Sequence, residues 1–165
     1  MESTKSKKKD KQNVLSNDQE KNNVSSKILN LKEIAFEYFK NTEKITLDMD
    51  YELTLGIENK FKHIFDLGSC DKSVLIKCKS DIWPNDEKTL AEKMSIWNET
   101  MFYFNLAPEK YRKIFFVLRD YSEKKRQTLL QYYISKNCKN ITKNIKIYEY
   151  NEKNGHCVIF NLDFK

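Results

Sequence analysis

The sequence predicts an α/β domain in which a mixed central sheet is flanked by helices. Three observations carry that expectation. Lys62–Asp81 holds two strand-like runs separated by the polar stretch Gly68–Lys72, the pattern of an antiparallel hairpin. Ile114–Leu118 is an unbroken apolar run, which suits a strand covered on both faces. Between them, Leu90, Met94, Trp97, Met101 and Phe104 recur at helical spacing, so a helix crosses over from the hairpin to a buried strand.

The elements follow in order. Residues 1–26 are Lys, Ser, Asn, Asp and Gln with almost no apolar content, and are expected to form a disordered basic tail ahead of a single domain over 27–165. Ile28, Leu31, Ala35 and Tyr38 set a first helix through about Asn41, with Ser25 or Ser26 as its N-cap. Tyr51–Ile57 alternates Tyr51, Leu53, Leu55 and Ile57 against Glu52 and Thr54, a half-buried strand. Lys62–Leu67 and Ser73–Asp81 are the next two strands. Pro84 marks a loop into a helix over Glu87–Leu106. Tyr111–Arg119 is a strand, Lys124–Lys136 a helix burying Leu129, Tyr132 and Tyr133, and Asn144–Tyr150 and Cys157–Leu162 two more strands joined at Asn154-Gly155.

Composition narrows the classes. The longest apolar run is far shorter than the roughly 20 residues of a membrane span, and no apolar segment follows the basic N-terminus as a secretory signal requires. No membrane association and a cytoplasmic location are expected. Cys70, Cys78, Cys138 and Cys157 lack CxxC spacing, and only His63 and His156 accompany them, so they read as free thiols rather than a zinc site. A net charge of +6 permits a polyanionic partner, but 27 lysines against 3 arginines make charge a weak signal for base-specific reading.

The chemistry concentrates in Phe65–Trp83. Alternation in the strand puts Leu75, Lys77, Lys79 and Asp81 on one face and Val74, Ile76, Cys78 and Ser80 on the other, so the two lysines project together, away from the apolar side. Asp66 closes the preceding strand and meets them if the two runs pair. A carboxylate that holds Mg²⁺ beside a lysine suits phosphodiester hydrolysis: the metal activates water and the ammonium steadies developing charge.

The runs KHIFDLGS, VLIKCKSDIW and AEKMSIWNETMFYFNLAPEKYRKIFFVL resemble restriction-endonuclease-like proteins of the PD-(D/E)XK superfamily, over about residues 50–150. The resemblance implies a restriction-endonuclease-like fold, Mg²⁺ or Mn²⁺ as cofactor and DNA as partner. It makes Asp66 the metal-binding acid and Lys79 the catalytic lysine. The position two before that lysine normally carries Glu or Asp, and here it is Lys77. An ammonium there repels a cation and pairs with Asp66. A relocated second carboxylate is therefore sought in the following helix, at Glu92 first and then Glu99, although both lie opposite the apolar stripe. Glu52 and Glu58 have no spacing that singles them out. Lys93 and Asn98 match the family's Lys-Met…Trp-Asn run and are expected to line the substrate cleft. His63 reads as strand packing, since no acid is spaced to form a dyad with it.

Two functions follow. One is a metal-dependent endonuclease cutting DNA phosphodiester bonds, degenerate at Lys77, with Asp66, Lys77 and Lys79 as its catalytic residues and Asp66 with Glu92 as metal ligands. The other is a catalytically inactive protein of nuclease fold that binds nucleic acid or a protein partner, its lysines holding phosphate directly. Cutting both strands of a duplex implies a homodimer or a partner protein.

Overall fold

The computed structural model describes residues 31–58, 60–142, 144–160 and 162. The expected tail over 1–26 and the Ser25/Ser26 cap lie outside the described residues. Helix α1 occupies 31–42 of the described chain. It is followed by β1 (Leu47–Leu55), β2 (Phe61–Ser69), β3 (Val74–Lys79), α2 (Glu87–Leu106), β4 (Arg112–Leu118), β5 (Tyr121–Ser122), β6 (Gln127–Thr128), α3 (Leu129–Asn137), β7 (Ile145–Asn151) and β8 (His156–Phe160). Six strands form one mixed sheet in the order β1-β2-β3-β4-β7-β8, and β5 and β6 form a separate two-stranded ribbon.

β3, β4 and β7 run parallel, and β1, β2 and β8 are antiparallel to their neighbours. Two helix-bearing crossovers, β3-α2-β4 and β4-α3-β7, make those parallel pairings possible. Alternation along the strands divides the core in two. Leu31, Ala35 and Phe39 of α1 pack against Leu67, Ile76, Phe116 and Tyr148. Trp97 and Met101 of α2, with Leu130 and Tyr133 of α3, pack against Phe65, Leu75, Phe115, Val117 and Ile147 on the opposite face. The result is three layers, helix, sheet, helices, each burying one apolar side. Among the described residues no helix is long and apolar enough to cross a membrane.

Local chemistry explains the element ends. Asp86 caps α2 by accepting the Thr89 N–H at 2.8 Å. Thr128 accepts from Gln131 N at 3.1 Å while the Gln131 side chain takes the Thr128 N–H at 2.8 Å, a reciprocal cap that starts α3 at Leu129. This corrects the expected helix over Lys124–Lys136. Its first residues instead turn the β5–β6 ribbon, with Arg126 in the left-handed region at φ 53°.

The β1–β2 hairpin contains the irregularity that shapes the site. Met49 pairs with Leu67 and Tyr51 with Phe65, so Asp50 stands opposite Asp66. Asp50 is held at φ 52°, a conformation that a short polar residue tolerates better than most. Across this point β2 changes faces: Phe65 packs toward α2 and Leu67 toward α1. Just beyond, the Tyr51 ring lies on Gly68, where an added Cβ would fall 2.2 Å from Tyr51 Cγ.

A candidate phosphate-binding cleft between diverging strands

β2 and β3 pair only at Leu67–Ile76 and Gly68–Leu75. Above that, β2 stays with β1 while β3 stays with β4, and the two strands part. Strands that part strand their backbone polar groups, which must find other partners. Two side chains supply them. The Asp66 carboxylate accepts the Cys78 N–H through Oδ2 at 2.7 Å, and the Lys77 ammonium donates to the Ile64 carbonyl at 2.7 Å. The two side chains also face each other, with Lys77 Nζ 3.8 Å from Asp66 Oδ1. Asp66 and Lys77 therefore clasp the gap between the strands. Burial pushes the Lys77 ammonium below its ordinary value; Asp66 opposes that shift and Lys79 adds to it.

The structure thus brings Asp66 and Lys77 together. Lys79 follows on the same face of β3, level with Val117 and, through it, with Glu149. Lys77 and Lys79 do not project away from an apolar side as expected, because apolar clusters cover both faces of β3; they stand at the end of the α2-facing cluster. Lys77 pairs with Asp66 and Lys93 with Asp81, which leaves Lys79 without an ion pair among the described residues.

Other expected site residues have structural occupations. Glu92 is exposed on α2 and does not join Asp66 in a metal-binding group. Lys93 donates to Asp81 Oδ1 at 3.2 Å, and Trp97 Nε1 donates to Asp81 Oδ2 at 2.6 Å, so both fasten α2 to the end of β3. Asn98 donates to Asn137 and accepts from Tyr133 and Asn140, all within 3.1 Å, tying α2 to α3 and the turn after it. The Asn98 amide is spent inside the fold rather than offered to a substrate.

Glu99 is exposed, yet it accepts the Tyr103 hydroxyl at 2.9 Å. Tyr103 stacks on His63, with ring centroids 3.7 Å apart and 24° between planes. Burial lowers the His63 imidazole below its ordinary value and the Lys77 charge lowers it further, while Glu99 and Asp66 work in the opposite direction. Lys77, Glu99 and Asp66 thus all act on His63, whose Nε2 is buried without a hydrogen-bond partner among the described residues.

Sequence reading missed Glu149 and Arg119. The Glu149 side chain has 0% exposure and accepts from Arg119 Nη1 at 2.8 Å. The signal was available in Ile145, Ile147 and Glu149, which alternate on one face of β7, so the acid continues an apolar row into the core.

The donor set fits a divalent cation poorly. Hard cations need several oxygen donors, and the cleft presents one carboxylate already engaged by an N–H and an ammonium. Among the described residues no three His, Cys, Asp or Glu side chains group closely enough to hold a metal ion. No family model, curated protein or solved structure matches the chain.

Proposed function

We propose that this chain is a nucleic-acid-binding domain of restriction-endonuclease-like fold, related to the PD-(D/E)XK nucleases, whose cleft holds phosphate through Lys77 and Lys79 without a metal. The observation that carries the reading is the seat of Lys77. Its ammonium lies where the strands part, against Asp66, at the position where the resemblance calls for a second carboxylate. The strand order, with an antiparallel hairpin leading through α2 into parallel β4, supports the fold assignment. Two neighbouring ammonium groups favour an anion over a cation. The half-covered setting strengthens their attraction for phosphate relative to open water. DNA is the partner implied by the resemblance.

A cleaving version of the site needs a carboxylate from elsewhere. Glu99 is better placed for that than Glu92, because it accepts the hydroxyl of Tyr103, which stacks on His63 beside the cleft.

The deciding experiment is plasmid cleavage with Mg²⁺, Mn²⁺ or EDTA, run beside a binding titration. The wild-type chain is expected to bind DNA in EDTA, with affinity falling as salt rises, and to leave the plasmid intact. Lys79→Ala should weaken that binding. Metal-dependent nicking by the wild-type chain, abolished in Asp66→Ala, would overturn the silent-site reading. Lys77→Glu, which restores the acid, tests how much of a nuclease scaffold remains.

A further inference from the structure

We infer that the aromatic side chains beside the cleft stack the bases of an unpaired nucleic-acid strand whose phosphates run to Lys77 and Lys79. This rests on the phosphate-binding reading above and adds the class of nucleic acid.

The geometry is a continuous run of rings. Phe61 and Phe102 flank Tyr103 with centroid separations of 6.2 and 5.7 Å. Tyr103 stacks on His63, which meets Phe65 edge-on at 4.9 Å, and Lys77 Nζ stands 5.9 Å from the Phe65 ring centroid. Rings thus lead from solvent to the cleft cation without a break. The outer two are open: Phe61 is 40% exposed and Phe102 55% exposed.

A single exposed aromatic residue is ordinary on a protein surface. Two that share a third ring and lead through His63 and Phe65 to Lys77 present what a polynucleotide strand requires, a π-surface for the base and an ammonium group for the phosphate. Charge complementarity selects this occupant over an apolar protein segment, because Lys77 Nζ stands beside Phe65, the ring next to the Tyr103–His63 stack, and Lys79 follows on the same face of β3. Glu99 accepts the Tyr103 hydroxyl, which fixes that ring; its charge sits on the outer side of the stack, away from the Lys77 end of the run. Bases within a duplex already stack on one another, so only an unpaired strand offers a free face.

The test uses the full chain and fluorescence anisotropy with labelled oligothymidylate about 20 nucleotides long, a length that spans typical single-strand sites. The same strand annealed to its complement serves as the duplex probe. Single strand should bind more tightly than duplex, and the preference should persist at about 200 mM salt, where non-specific phosphate contacts fade. Phe102→Ala should weaken single-strand binding about tenfold while changing duplex binding less than about twofold. Phe102→Tyr, which keeps the ring, should restore it. Both positions are exposed, and thermal unfolding of each variant verifies the fold.

Equal affinity for the two probes, or no effect of both Phe61→Ala and Phe102→Ala, overturns the stacking inference. If Lys79→Ala still weakens binding in that case, the phosphate cleft stands alone. Absence of salt-sensitive binding to both probes in the wild-type chain overturns both.

Discussion

Val74, Ile76 and Cys78 of β3 pack toward α1, whereas Leu75 and the two lysines that follow it face α2 and α3. The α1 side is closed by aromatic residues: Phe39 meets Tyr148 at 5.1 Å and Phe116 at 5.9 Å, both edge to face. The α2–α3 side is equally apolar near Trp97 and Phe115, then ends in the pairs Lys77–Asp66, Lys93–Asp81 and Arg119–Glu149. One strand thus gives one face to cohesion and the other to charge. The period of two in a strand allows this without either role disturbing the other.

The largest effect should come from the cohesive side. Phe39 has 0% exposure, and Phe39→Ala is expected to cost about 3–5 kcal/mol in urea unfolding. Nucleic-acid affinity of the folded fraction should be unchanged. A parallel fall in affinity would show that the faces are coupled.

Next comes the clasp. Asp66→Ala removes the acceptor of the Cys78 N–H and is expected to cost about 1–3 kcal/mol. Asp66→Asn keeps an acceptor oxygen and should recover most of that loss. Both variants also free Lys77 of its counter-charge, so phosphate affinity should rise as stability falls. Weaker binding in both would mean that Asp66 recruits the ligand rather than restraining the lysine.

The smallest effect is electrostatic. His63 is held below its ordinary value, so the unfolded chain takes up a proton there more readily than the folded one. Its contribution is fully present above about pH 6.5 and is lost as pH falls from there toward the lowered folded value. An NMR titration of the His63 ring should show the lowered midpoint, and His63→Gln should flatten the stability profile over that window. An unshifted midpoint would remove His63 from the cleft's electrostatics.

Much of this architecture is readable without coordinates, and the exceptions have physical causes. α2 runs over Glu87–Leu106 as its spacing predicts, because an uninterrupted apolar stripe follows a capping acid. The β5–β6 ribbon escaped notice because strands of two residues carry no periodicity, and Lys124 and Lys125 are good helix formers. The Thr128–Gln131 capping pair was visible and marks the true start of α3. β1 begins at Leu47 rather than Tyr51, because left-handed Asp50 interrupts the alternation that would have announced it.

At the site, alternation places Lys77 and Lys79 on one face of β3, and strand pairing brings Asp66 to Lys77. It does not reveal that Asp66 and Lys77 take over backbone hydrogen bonds, since that depends on where the β2–β3 pairing stops. Local pattern likewise cannot report that Lys93 and Asn98 are bound within the fold, because their partners lie 12 and 35–42 residues away.

The clasp also bears on what a metal-binding variant of the cleft would cost. With lysine at position 77, the Ile64 carbonyl has a donor and Asp66 has a counter-ion. Placing an acid at that position would withdraw both and set two carboxylates against each other at the mouth of the gap. On this geometry the step toward a metal site begins with a loss of stability, which no ion repays until it binds. Lys77 therefore favours the cleft as it stands: any substitution there that adds a carboxylate starts from a less stable fold.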